Sequence, residues 1–121
     1  MTDKQNQKME ITTIEQWYDI LKKAESGDSS AQFEVATIYE NGLNIDSLEI
    51  IKQDIQIAFN WTKKAFENGH KEAKISYAHY LTDRSNPISV LDIELGMKLY
   101  QEEMTNGDNY ATYCLGLEYR N

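Results

Sequence analysis

Cys114, His70 and His79 are the side chains here best suited to nucleophilic or metal chemistry, and their spacing supports neither. A catalytic cysteine needs a base held beside it to draw off the thiol proton. His79 and Cys114 lie far apart in sequence and fall in different repeating units, so nothing brings them together. Cys114 is expected to be an inert, partly packed thiol. The chain has no paired cysteines, no His-Glu-x-x-His turn of helix and no glycine-rich phosphate loop. Its many carboxylates fit a solvated acidic surface better than general acid and base work. No catalytic residue, metal or cofactor is expected.

The charge balance points to a class of partner. Twenty Asp and Glu stand against twelve Lys and Arg, a formal net charge of −8 over 121 residues. Nucleic acid and anionic membranes are bound through Lys and Arg that displace counterions, so this balance opposes both. It favours a basic protein partner, and it also serves solubility. A single cysteine allows no internal disulfide and fits a reducing compartment. Residues 1–10 carry no apolar run of the kind a signal peptide needs, and no segment reaches transmembrane length. A cytoplasmic protein is expected.

The elements that position these residues are helices punctuated by glycine. From Asp54 to Glu67, Ile55, Ile57, Ala58, Phe59, Trp61, Ala65 and Phe66 form an apolar arc covering more than half the circumference. A helix lying on one core needs less, so this one is gripped from two sides. Asn68-Gly69 stops it, and a second amphipathic helix runs from His70 to Leu81. Aligned on Gly27, Gly69 and Gly107, the following segments match without gaps: Ala31, Ala73 and Ala111; Val35, Tyr77 and Leu115; Ala36, Ala78 and Gly116; Tyr39, Leu81 and Tyr119. Upstream, Asp54 corresponds to Asp92 and Ala58 to Gly96. The glycines are 42 and 38 residues apart, a period typical of stacked repeats.

At Asp54, Ala58, Trp61, Lys64, Ala65, Gly69, Ala73, Tyr77, Ala78 and Leu81 the sequence resembles the Sel-1-like repeat, a relative of the tetratricopeptide repeat. The resemblance covers nearly everything from Thr13 onward. It implies an all-α, right-handed superhelical α-solenoid of about six antiparallel helices, paired as hairpins over 13–40, 54–81 and 92–119. Leu99, Glu102 and Glu103 depart from the pattern, standing where Trp, Lys and Ala belong.

Along the chain, a polar tail (1–12) precedes a single repeat domain (13–121). Thr12 or Thr13 can cap the first helix with Glu15 or Gln16, and Ile14, Trp17, Tyr18, Ile20, Leu21 and Ala24 form its expected buried face. Asp28 caps the second helix, and His70 takes the same place in the fourth. The loop after Tyr39 is about six residues too long for the pattern, and residues 43–52 within it read as an insert with one extra helical turn. Its Asp46, Glu49 and Asp54 are a possible partner contact. Pro87 precedes a helix starting at Ile88 or Asp92 and ending near Thr105. In this frame the chain holds three whole hairpins.

The resemblance also implies a function: binding protein along the concave side, which the first helix of each repeat lines. Transferred tetratricopeptide geometry puts Phe33, Thr37 and Glu40, then Glu72, Ile75, His79 and Asp83, then Tyr110, Tyr113 and Leu117 on that side. Phe33, Ile75 and Tyr113 would be apolar anchors with Glu40, Glu72 and Asp83 as an acidic rim, or else a packing row between helices. A non-catalytic interaction module follows. One specific form is an immunity protein that neutralises a basic toxin, and the other is an adaptor or regulatory scaffold in a signalling or stress pathway.

Overall fold

The computed structural model describes residues 11–105. In chain order it contains α1 (Ile14–Glu25), α2 (Ser29–Asn41), β1 (Leu43–Ile45), β2 (Leu48–Ile51), α3 (Ile55–Glu67), α4 (Lys71–Thr82) and α5 (Ile93–Thr105). The sixth helix expected over 108–119, with Tyr110, Tyr113, Cys114 and Leu117, lies outside the described residues.

The helix boundaries come from short polar side chains and glycines. Thr13 accepts from the Gln16 N–H at 3.2 Å while Gln16 accepts from the Thr13 N–H at 3.1 Å, a complete capping box. Asp28, Asp54 and Asp92 cap α2, α3 and α5, accepting from the N–H groups of Ala31, Ile57 and Leu95 at 3.0, 3.0 and 3.1 Å. His70 does the same for α4, its Nδ1 accepting from Ala73 N–H at 3.1 Å. Gly27 and Gly69 turn the chain with φ of 106° and 91°, a region where a Cβ would be strained.

Packing runs from neighbour to neighbour. α1 lies on α2, α2 on α3, α3 on α4 and α4 on α5, and the broadest of these contacts is between α2 and α3. The repeat is visible in the backbone as well. The Asp54 N–H donates to the Tyr39 carbonyl and the Asp92 N–H to the Leu81 carbonyl, both at 2.8 Å, and both donors and acceptors are register equivalents. The α2–α3 and α4–α5 pairs are therefore two copies of one geometry. The hairpins expected over 13–40 and 54–81 are present too, as α1 on α2 and α3 on α4, because each inner helix packs on both its neighbours.

Two apolar clusters form the core. Trp17, Ala24, Ala31 and Val35 anchor one at the α1–α2 end, with Leu43, Ile51 and Trp61 packed against them. Phe59, Ile75, Tyr77, Ala78, Tyr80, Leu81, Leu99 and Tyr100 form the other among α3, α4 and α5. Phe59 meets Tyr77 and Tyr80 at centroid separations of 5.6 and 5.5 Å, and Phe66 stacks on Tyr77 at 5.1 Å. Such aromatic pairs add about 0.5–1.5 kcal/mol each beyond the area they bury. Helix α3 is gripped by α2 and α4, as its wide apolar arc requires.

Two sequence expectations are corrected and one is narrowed. The insert is a β-hairpin rather than a turn of helix, with β1 antiparallel to β2 and Ile45 paired to Leu48. Asp46 and Ser47 between them have φ of 51° and 68°, which fits the two-residue turn whose twist matches paired strands. Of the two starts offered for the helix after Pro87 the structure takes the later, with α5 beginning at Ile93 after Asp92, while Ile88 and Val90 are loop residues packed on the core. On α1, Ile14 and Tyr18 are 37% and 61% exposed. With α2 as its main support, α1 buries only a narrow stripe through Trp17 and Ala24.

Candidate functional site

The site begins with the two helices that follow the repeat glycines, α2 and α4. Two side-chain bridges tie them together. Near their N-terminal ends, the Phe33 ring stacks on His70 with centroids 4.8 Å apart. At the C-terminal ends, the Tyr80 hydroxyl donates to Glu40 Oε2 at 3.3 Å. The two helices thus run side by side in the same direction. Burial and the adjacent Glu40 carboxylate push the Tyr80 phenol well above its ordinary pKa, so it stays a donor at any physiological pH.

Along this pair the expected contact residues separate into two groups. Glu40, Glu72 and His79 are exposed, while Phe33, Thr37 and Asp83 are half-buried. Thr37 turns its hydroxyl back to the Phe33 carbonyl at 3.1 Å. Asp83 accepts from the Ser85 hydroxyl and N–H at 2.6 and 2.9 Å, which hold its carboxyl below the usual pKa, and His79 lies 3.9 Å away. Ile75 is the exception. At 6% exposure it belongs to the α3–α4–α5 core, because α4 is packed on both flanks and presents only a narrow strip. It is a packing residue here and not an accessible anchor. Tyr110, Tyr113 and Leu117 fall outside the described residues.

A second polar feature was missed in the sequence. Five residues after their glycines, Gln32 and Lys74 occupy the same register position. Gln32 is 2% exposed; its amide donates to the Ala24 carbonyl and accepts from Asn68, both at 2.9 Å, joining α1, α2 and the end of α3. Lys74 reaches Glu102 at 2.7 Å and Glu103 at 3.1 Å on α5. Burial alone would lower the Lys74 pKa, but hydrogen bonds to the two carboxylates more than offset it, and the ammonium ends above its ordinary value. The acids at 102 and 103, which break the repeat pattern, are thus matched by the lysine facing them. The available signal was a polar residue recurring at one register position.

A cavity of about 440 Å³ opens beside this junction, lined by Phe66, Gly69, His70, Lys71, Lys74 and Glu103. Among the described residues no group of three His, Cys, Asp or Glu is placed to hold a metal ion. No helix among them is long and apolar enough to cross a membrane.

No protein-family profile matches the chain, and no curated protein is similar to it. Among solved structures, it is similar to a Sel1 repeat protein from Oxalobacter formigenes, with 21% identity over 85% of this chain and 98% of that one, at a TM-score of 0.47.

Proposed function

We propose that the protein is a non-catalytic protein-binding module and that the α2–α4 face receives a basic partner. The observation that carries this reading is the double bridge, Phe33 to His70 and Glu40 to Tyr80, which fixes two helices in register without covering their outer surface. Glu40, Glu72 and Asp83 give that surface an acidic rim, and Phe33 supplies a half-buried aromatic at one end. A face fixed before binding loses little conformational freedom when a partner docks. Acidic groups at the rim speed encounter with a basic surface.

In its specific form, the reading is an immunity protein acting in the cytoplasm on a basic toxin. The net charge of −8 supports it, since an acidic inhibitor can mask the cationic surface with which such a toxin engages its target. An adaptor role in a signalling or stress pathway uses the same face and differs in the partner. The test is affinity capture from a lysate with the wild-type chain, a Phe33→Ala/Glu72→Lys variant and a variant shortened within 43–52. The expected result is a basic protein retained by the wild type, released by salt and lost with the first variant. Retention of an acidic protein, or equal recovery with wild type and the face variant, would overturn the reading.

A further inference from the structure

We propose that the outer edge of β2 accepts an added strand from a basic, extended segment of the partner. This deepens the reading of an acidic module with a basic partner and gives the insert a distinct task.

The register shows which edge is free. Ile45 and Leu48 are directly opposed across the hairpin, so their side chains share one face of the two-stranded sheet. Ile45 is 8% exposed and Leu48 is 67% exposed. Near its turn the hairpin is therefore covered on the β1 side and open on the β2 side. The next opposed pair, Asn44 and Glu49, is exposed on both strands. Pairing in an antiparallel ladder alternates, and a two-residue turn makes Ile45–Leu48 the bonded pair. That alternation, which runs as far as the register shift between Glu49 and Ile51, turns the Glu49 N–H and C=O outward, away from β1. No other segment among the described residues bonds to them.

An open edge can add a strand, in which backbone bonds supply affinity and side chains supply selection. Here selection is electrostatic. Between 43 and 54 the chain carries Asp46, Glu49 and Asp54 against Lys52 alone, with Asp54 engaged as the cap of α3, so the strands themselves hold only acidic charge. Charge on a short edge strand keeps like strands off. A second copy would set Glu49 against the same acidic hairpin, whereas a lysine or arginine in the incoming strand would meet it favourably. Leu48 offers that strand an uncovered apolar side chain. The hairpin leaves α2 just after Glu40, and the Gln53 amide donates back to the Glu40 carbonyl at 2.8 Å. The base of the hairpin is thus fixed to the acidic end of the α2–α4 face, and one extended partner can use both.

The test titrates the isotope-labelled full chain with a ten-residue peptide of alternating lysine and valine. Its twin has the same side chains with every peptide nitrogen methylated, which removes the strand's donors and keeps its charge. The expected result is saturable amide shifts at Leu48, Glu49 and Ile50 and slowed exchange of the Glu49 amide. The twin should bind at least tenfold more weakly. Glu49→Lys should weaken the peptide about tenfold with the helical circular dichroism unchanged. Equal binding by the twin would mean that charge alone holds the peptide, and would overturn the strand. Shifts confined to Phe33, Glu72 and His79 would overturn the hairpin site while leaving the helical face standing. Hairpin shifts that follow protein concentration without peptide would make the occupant a second copy. Absence of saturable shifts up to millimolar peptide would remove the edge as a site.

Discussion

The junction of Lys74 with Glu102 and Glu103 is where single side chains most affect stability. Glu103 is 4% exposed, so removing its counter-ion leaves a carboxylate nearly without water. A polar group left unsatisfied in this way costs about 1–3 kcal/mol. Lys74→Gln is therefore expected to destabilise by about 2 kcal/mol in urea unfolding. Lys74→Gln with Glu103→Ala, which copies the residues of the preceding repeat at Gln32 and Ala65, should recover most of that loss. No recovery would mean that the two residues are not coupled.

The pH dependence has a definite sign. The Lys74 pKa is raised in the folded state above 10.5, so its contribution is present below that value and lost as pH rises through the folded one. The Glu102 carboxyl is lowered below 4.5, chiefly by its hydrogen bond to Lys74. Its contribution is present above 4.5 and lost as pH falls through the folded value. Wild-type stability should fall at both limbs, and Lys74→Gln should flatten both. The acid limb should be small and salt-sensitive, because Glu102 is about half exposed.

At the scale of elements, the close approach of α4 and α5 rests on Gly96. A methyl group there would run into the Thr82 side chain and lie 3.0 Å from the Ala78 carbonyl oxygen. Gly96→Ala is expected to lower stability by about 1–3 kcal/mol, with Ala78→Leu at least as costly. Thermal unfolding unchanged in either variant would contradict the helix register. Ser47→Gly should act the other way, raising stability by about 1 kcal/mol, because an L-residue is disfavoured in the left-handed conformation that Ser47 holds at φ 68°. An unchanged or lowered midpoint would count against that turn.

The same elements mark what was legible in the sequence. Caps at Thr13, Asp28 and His70 were readable because each is a polar group just ahead of an apolar period, whereas Asp54 and Asp92 were visible only as equivalent positions of the repeat. Ala78 and Gly96 were readable as small residues at register positions where helices meet. The hairpin was not, since its turn is Asp-Ser and lacks the glycine that normally signals it, while Leu48, Ile50 and Ile51 imitate a helical stripe. Tyr18 was placed on the wrong surface, and the choice for Ile75 between anchor and packing residue stayed open, for a related reason. Periodicity defines an apolar arc but not which part of it a neighbour covers, and that depends on how the stack is built.

At the scale of the molecule, neighbour-to-neighbour packing leaves, among the described residues, a helix pair α2 and α4 linked by side chains, with Glu40, Glu72 and His79 exposed along it. Of the expected contact residues described, the structure keeps Phe33, Thr37, Glu40, Glu72, His79 and Asp83 at least partly accessible and withdraws Ile75 into the core. The central claim is that this face, more than the insert, holds the partner. It is tested most directly by calorimetric titration of the captured partner into wild type, Phe33→Ala/Glu72→Lys and a chain shortened within 43–52, with melting curves recorded for each. Loss of an aromatic contact together with reversal of a rim charge costs about 2 kcal/mol, so the face variant should bind about thirtyfold more weakly, its melting temperature falling only by the small amount that loss of the Phe33–His70 stack implies. The shortened chain should lose less than tenfold. The reverse ranking, or equal losses accompanied by lowered melting temperatures, would contradict the account.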